Sequence, residues 1–209
     1  MAADELAGLY ERHALAYDQD RSRSLTEQVW LDRLLALLPP RPTVLDLGCG
    51  MGEPIAQYLI GRGCAIMGID TSPAFIALCQ RRFPDHMWQV GDMRTVELPQ
   101  PFDAILAWNS FFHLPHADQR HMFGRFRRYA APGAALLFTS GTNHGESIGT
   151  YQGEPLYHAS LDTAEYQTLL RNHGFSVVSH IVSDPTCGHL TVWLARQNQA
   201  AAGSRTADR

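Results

Sequence analysis

The sequence lacks the features that define several large classes of protein. No stretch approaches the roughly 20 consecutive apolar residues that span a membrane, and the acidic residues 1–7 do not form the basic start of a signal peptide. Positive charge is not in excess, since 17 Lys and Arg stand against 21 Asp and Glu, which argues against a broad nucleic-acid surface. We therefore expect a soluble, cytoplasmic monomer or homodimer with no membrane or nucleic-acid partner.

Cysteine is also scarce, and its spacing excludes the common thiol motifs. No Cys-x-x-Cys pair is present, which argues against a zinc ribbon and a thioredoxin-like site. In a cytoplasmic chain the expected state is a free, buried thiol. The four cysteines are Cys49, Cys64, Cys79 and Cys187.

The histidines His113, His116 and His121 raise the question of a metal site. Pro115 and the uneven spacing argue against a shared helical face, and no tetrahedral ligand set is completed nearby. We expect no metal.

What is present is the composition of one globular domain. The chain has 209 residues, of which 45% are hydrophobic and 18% charged, enough for one sizeable core. We expect a single domain over residues 1–196 and a tail over 197–209 whose composition is that of a disordered segment.

The pattern of apolar residues predicts helices first and then alternating strands and helices. Residues 4–38 predict two helices, separated by the polar run 18–24 and ended by the prolines at 39–42. Strands are expected at 43–47, 64–69, 87–90, 102–108, 134–139, 175–182 and 189–196. Helices are expected at 53–60, 73–83, 117–131 and 162–173, with a polar excursion over 140–160.

This alternation predicts an α/β fold, a doubly wound and mainly parallel sheet with helices on both faces. The last two strands are joined by a short turn and should pair antiparallel. Ligands bind such sheets at the carboxyl ends of the strands.

The most specific motif is the Gly-rich loop after the first strand, residues 44–53. Gly48, Gly50 and Gly52 alternate as G-x-G-x-G, whereas the dinucleotide fingerprint is G-x-G-x-x-G. Asp46 stands beside the loop, where a carboxylate suits a ligand that carries an ammonium group.

Two further carboxylates follow the next two strands. Asp70 is placed to accept from both hydroxyls of a ribose, and Asp92 to accept from an adenine amino group. A ligand with an amine, a ribose and an adenine is S-adenosylmethionine.

In order and spacing, these motifs resemble those of the class I S-adenosylmethionine-dependent methyltransferases. The resemblance rests on residues 44–52, 68–72, 91–93, 102–108 and 132–137 and covers about residues 5–196. It implies a seven-stranded sheet of order 3-2-1-4-5-7-6 with strand seven antiparallel. It also implies an N-terminal helical lid (1–42), a cofactor-binding half (43–139) and an acceptor-side half (140–196).

The resemblance also implies roles for individual residues. The methionine part of the cofactor would be held near the Gly-rich loop, the ribose at the second strand and the adenine at the third. The implied cofactor residues are Asp46, Gly48, Gly50, Asp70, Thr71, Asp92, Met93 and Trp108.

Structural explanations compete with these roles. The glycines could serve only the turn, Asp70 could cap a helix, Asp92 could belong to a turn, and Trp108 could belong to the core.

The acceptor side is less specific. The Asn-Pro-Pro-Tyr signature of nucleic-acid amino methylases is absent, and His113-Leu114-Pro115 is more similar to the ubiquinone and small-metabolite methylases. His113 is the candidate general base, or else a structural histidine. The candidate acceptor contacts are Tyr17, Tyr151, Tyr157 and His158.

The leading hypothesis is therefore a methyltransferase that acts on a small molecule. A non-catalytic S-adenosylmethionine-binding module and a nicotinamide-dependent oxidoreductase remain alternatives.

Overall fold

A computed structural model describes residues 3–198 of the chain. Its centre is a seven-stranded sheet of order β3-β2-β1-β4-β5-β9-β8. The first five strands of the sheet run parallel, and β9 is antiparallel to both β5 and β8. The strands are β1 (Thr43–Leu47), β2 (Ala65–Asp70), β3 (Met87–Val90), β4 (Phe102–Ala107), β5 (Ala130–Ser140), β8 (Phe175–Asp184) and β9 (Leu190–Gln197).

A separate two-stranded hairpin, β6 (Gly145–Tyr151) and β7 (Glu154–Ser160), follows the fifth strand of the sheet. Gln152 and Gly153 form its turn, both with positive φ, of 50° and 79°. A turn with two positive φ values matches the right-handed twist of the flanking strands. The excursion expected over 140–160 is therefore mostly an ordered hairpin.

Helices cover both faces of the large sheet, as predicted. Along β1, Leu45 and Leu47 pack into one core cluster with α6 and α7, while Val44 packs into a second with α3, α4 and α5. This is the alternation of a strand buried on both faces. The helices are α1 (Ala3–Arg12), α2 (Ala14–Asp20), α3 (Gln28–Leu35), α4 (Ile55–Gly61), α5 (Pro73–Arg82), α6 (His116–Tyr129) and α7 (Thr163–Asn172).

The strand order and the antiparallel last strand are confirmed. The N-terminal region differs from the prediction, because it forms three helices and residues 18–20 belong to the second of them. Arg82 and Arg23 form ion pairs with Asp18, so the polar run is compatible with a helix that packs against α5.

The fifth strand begins earlier than the sequence predicts. It starts at Ala130, and Pro132 and Gly133 lie inside it rather than after a helix that continues to 131. The register between β4 and β5 shifts at this point, and Gly133 has φ 80°. A bulge is one of the few places where a strand accepts proline.

The C-terminal prediction is altered at one residue. Gln197 ends β9, so the expected tail begins inside a strand, and residues 199–209 lie outside the described part of the chain. Within residues 3–198, none of the helices has the length and apolar character needed to cross a membrane.

Candidate functional site

The carboxyl ends of β1 to β4 surround a cavity that is open to solvent on one side. Tyr10 and Tyr17, from α1 and α2, line another side of it. The structure thus brings together eight of the predicted site residues around one cavity: Tyr17, Gly48, Gly50, Asp70, Thr71, Asp92, Met93 and His113.

The Gly-rich loop shows two different uses of glycine. A Cβ on Gly48 would lie 2.2 Å from the Cβ of Ser110, so this position needs glycine for the close approach of the loop after β4. Gly50 has φ 54° and open space where a Cβ would be, which leaves the backbone exposed to a ligand. The loop is therefore more than a tight turn.

Asp70 fixes this loop to the end of β2. Its carboxylate accepts from the main-chain N–H of Gly50 at 2.9 Å and of Ser72 at 2.9 Å. Burial raises the pKa of Asp70, and these hydrogen bonds act in the opposite direction. The N-cap of α5 is Ser72, which accepts from the N–H of Phe75.

Asp92 is held in place by Arg94. The Arg94 side chain donates to both carboxylate oxygens of Asp92 and also reaches Asp118 at 3.1 Å. Burial raises the pKa of Asp92, but the bonds from Arg94 outweigh it and keep the pKa below its usual value. A charged carboxylate thus faces the cavity beside Met93.

Asp46 and Trp108 line a second, adjoining cavity of about 450 Å³, together with Arg21. Asp46 is 4% exposed, and no group in residues 3–198 donates a hydrogen bond to its carboxylate. Burial raises the pKa of Asp46 to about 7, and the nearby charge of Asp70 adds a smaller effect in the same direction. Trp108 packs in the same core cluster as Trp30, yet its buried indole N–H has no acceptor among residues 3–198. A carboxylate without a donor beside a donor without an acceptor is suited to an amino-acid zwitterion.

His113 is bonded at both ring nitrogens. Nδ1 lies 2.8 Å from the main-chain oxygen of Tyr157, and Nε2 lies 3.0 Å from the hydroxyl of Tyr10. Because a carbonyl only accepts, Nδ1 carries the proton, and the Tyr10 hydroxyl donates to Nε2. Burial lowers the pKa of His113 to about 4, although the bond to Tyr157 opposes this.

The other predicted acceptor contacts lie behind the cavity wall rather than in it. The ring of Tyr157 is buried near Tyr10, and the ring of His158 lies 4.8 Å from that of His113. Tyr151 lies 5.7 Å from Tyr17, ring to ring. These three side chains do not line the main cavity, because the hairpin packs on the outer side of α1 and α2.

The hairpin is joined to the N-terminal helices by polar contacts. Arg12 and His13 both pair with Glu154, the latter at 2.7 Å, and these two contacts lower the pKa of Glu154 to about 2. At the hairpin turn, Tyr151 and Gln152 donate to Asp20. We call this set of contacts the hairpin latch.

The histidines considered for a metal do not form a ligand group. Within residues 3–198, three potential ligand atoms come within 4.8 Å of one another only at His144, Asp162 and Glu165. Glu165 there is paired with Arg120 at 2.5 Å.

Several residues that line the main cavity were not among the predicted site residues, and Arg94, Asn109 and Ser110 are three of them. Arg94 and Asn109 each directly follow a motif that was used. For Asn109 the only sequence signal is its position at the end of β4, since its left-handed backbone becomes visible only in the structure.

Comparison with known proteins agrees with this geometry. A methyltransferase domain family matches residues 44–133. Trans-aconitate 2-methyltransferase of Methylobacterium nodulans is 29% identical over 91% of this chain and 73% of its own length. A dTDP-4-amino-2,3,4,6-tetradeoxy-D-glucose N,N-dimethyltransferase of Saccharopolyspora spinosa is 28% identical, and there the match covers 63% of this chain but only 52% of the relative.

Solved structures show the same fold. The DhpI–SAH complex superposes with a TM-score of 0.74 at 22% identity, covering 94% of this chain and 97% of that one. CalS10, an amino pentose methyltransferase from Micromonospora echinaspora with bound SAM, superposes with a TM-score of 0.70 at 19% identity. This match covers 90% of this chain and 96% of that one. The fold is thus the Rossmann-like methyltransferase fold. Residues 44–133 thus carry a methyltransferase domain, and the protein is a methyltransferase that uses S-adenosylmethionine as its cofactor.

Proposed function

We propose that this enzyme moves the methyl group to a small-molecule acceptor enclosed between the Gly-rich loop and the lid. The observation that carries the proposal is that one cavity is lined both by the cofactor motifs and by Tyr10 and Tyr17 of the lid. The relatives named above act on a small carboxylic acid and on a nucleotide-linked amino sugar, which supports a small acceptor.

The unpaired groups support an assignment of the cofactor. Asp46 would take the ammonium group and the indole N–H of Trp108 the carboxylate of the methionine part. Asp70 would take the ribose hydroxyls, while Gly48 and Gly50 leave room for the chain between them. Thr71, Asp92 and Met93 would surround the adenine.

The chain's own part in the reaction is to bind, orient and exclude water. When bound, S-adenosylmethionine would supply an activated methyl group on its sulfonium sulfur, which an acceptor would take by in-line displacement while the sulfur keeps the electron pair of the broken carbon–sulfur bond. The rings of Tyr10, Tyr17 and Phe75 form an aromatic wall of the cavity, which suits a dispersed positive charge better than fixed cations would. Orientation of this kind is worth several kcal/mol.

His113 acts through Tyr10 in this proposal. Both ring nitrogens are bonded within the protein, so an acceptor proton would reach Nε2 only by way of the Tyr10 hydroxyl. A pKa of about 4 also makes His113 a weak base. We therefore infer that His113 stays neutral and orients Tyr10 rather than acting as the general base.

Two further expectations from the sequence remain proposals. The free thiols of all four cysteines support a reducing, cytoplasmic location. The lid at 1–42 and the hairpin within 140–196 support the expected division of one domain around the cofactor-binding half.

The function is tested with methyl-labelled S-adenosylmethionine and a panel of trans-aconitate, a dTDP-amino sugar, simple phenols and simple carboxylic acids. Label in one product supports the proposal. Binding of S-adenosylmethionine without turnover across a wide panel would instead support a non-catalytic module. Binding of NAD in place of S-adenosylmethionine would support an oxidoreductase.

A further inference from the structure

Asn109 has an unusual backbone at the end of β4. Its φ is 50°, in the left-handed region that asparagine enters more readily than most residues and that often marks a functional site. The main-chain N–H of Asn109 donates to Oγ1 of Thr139 at 2.9 Å, and this hydroxyl donates in turn to Oδ1 of Asn109 at 3.3 Å. Thr139 is fully buried in β5, so the conformation of Asn109 is fixed from behind.

The bonds to Thr139 leave one end of the carboxamide available. Oδ1 is occupied by Thr139, whereas Nδ2 of Asn109 donates to no group in the part of the chain that the structure describes. Asn109 is also one of the residues that line both cavities. An amide held at its oxygen and available at its nitrogen is arranged to donate to a ligand.

The position of Asn109 indicates which ligand would accept the hydrogen bond from Nδ2. The main cavity carries Asp70 and Asp92, and the adjoining cavity carries Asp46 and Trp108. If these hold the adenosine and methionine parts, the sulfonium that links the two parts lies at the junction, beside Asn109. A cationic sulfonium does not attract an N–H donor, so the partner of Nδ2 is the molecule that approaches the methyl group.

We propose that Nδ2 of Asn109 donates a hydrogen bond to an oxygen atom of the methyl acceptor, and that Thr139 is the positioning residue for this contact. The acceptor therefore belongs to the oxygen-bearing small molecules, with a carboxylate, carbonyl or hydroxyl oxygen within reach of the transferred methyl. This inference rests on the proposed function and deepens it.

The first test compares asparagine, glycine and aspartate at position 109. Asn109→Gly removes the amide and suits the positive φ, so the fold is retained. It should lower kcat/KM by roughly 10- to 100-fold, the value of a lost hydrogen bond to a polar or charged oxygen, with the Kd for S-adenosylhomocysteine unchanged. Asn109→Asp should lower it further, because a carboxylate repels the acceptor oxygen. The exposed Asn143→Ala is the control.

The second test addresses Thr139. Thr139→Val keeps the shape but removes the hydroxyl, and should raise the KM for the acceptor. Thr139→Ser keeps the hydroxyl, so the KM of this variant for the acceptor should be close to that of the parent. A merely structural role would lower the melting temperature of both variants and leave KM unchanged.

A third measurement does not depend on turnover. In protein saturated with S-adenosylhomocysteine, the ¹⁵N–¹H signals of the Asn109 side-chain amide should shift on titration with acetate and not with methylammonium chloride. No shift with acetate would overturn the inference. So would an Asn109→Gly variant that loses affinity for S-adenosylhomocysteine, or an Asn109→Asp variant that is more active than Asn109→Gly. A panel without any product would count against the proposed function, while the titration would still decide the role of Asn109.

Discussion

The hydroxyl of Tyr10 donates a hydrogen bond to Nε2 of His113 at 3.0 Å, and so joins the first helix of the chain to the loop after β4. The other nitrogen of the same ring bonds the main-chain oxygen of Tyr157 in the hairpin. Three segments far apart in sequence therefore meet at one imidazole, at the edge of the cavity.

The rate of methyl transfer should not depend on a histidine that titrates near neutral pH. His113→Gln can donate to the Tyr157 oxygen and accept from Tyr10, so it should retain most of the rate, whereas His113→Ala should not. The pH profile of single-turnover transfer should be flat around neutrality for parent and Gln variant. A rise in rate with an apparent pKa near 6.5 that is lost in His113→Gln would restore His113 as the general base.

Protonation of His113 should destabilise the fold in acid. Its pKa is about 4 when folded and about 6.5 when unfolded, so the unfolded chain binds the proton more readily. Stability is complete above about pH 6.5 and falls as pH drops towards 4, by up to roughly 3 kcal/mol from this group. Urea unfolding of the parent and of His113→Gln across this pH range measures the loss of stability. Equal losses in the two proteins would contradict the role of His113 in it.

Asp70→Ala should weaken the binding of S-adenosylhomocysteine. Two charge-assisted bonds to a ribose are worth roughly 1.5–3 kcal/mol. Calorimetry on the folded variant measures the loss, with the exposed Asp85→Ala as control. Asp70 also holds the N–H of Gly50, so circular dichroism must first show an intact fold. An unchanged Kd would remove Asp70 from the site.

Gly50→Val should leave a folded protein that no longer binds the cofactor. A Cβ at this position meets no atom of the protein within 4 Å, so only the positive φ is penalised, by about 1–2 kcal/mol. Gly63→Val is a matched control, because Gly63 also has a positive φ and open space at its Cβ but lies after α4. Normal binding by Gly50→Val would show that the loop does not contact the cofactor.

The sequence predicted the parts of this site that are local in the chain. The Gly-rich loop, Asp70 and Ser72 lie within or directly after their strands, so their positions follow from the order of strands and helices alone. The bond from Tyr10 to His113, the bonds from Thr139 to Asn109 and the hairpin latch join distant segments. Their geometry depends on how those segments pack, which periodicity does not encode.

The hairpin itself was missed for a local reason. Its turn carries Gln152 at the first positive φ, where asparagine, aspartate or glycine is the usual signal. Gly149 and Gly153 within the segment indicated a loop instead.

The most direct test is the effect of Trp108→Phe on cofactor binding, because this change replaces the indole, whose N–H has no acceptor within residues 3–198, by an aromatic ring without an N–H. Without ligand the variant should be less stable than the parent, because the smaller ring leaves a cavity in the core even though no hydrogen bond is lost, so circular dichroism must first show an intact fold. The affinity of the variant for S-adenosylmethionine, measured by calorimetry, should fall by roughly 1.5–3 kcal/mol if the N–H meets the cofactor carboxylate. Undiminished affinity would contradict the placement of the methionine part, and with it the position assigned to the transferred methyl.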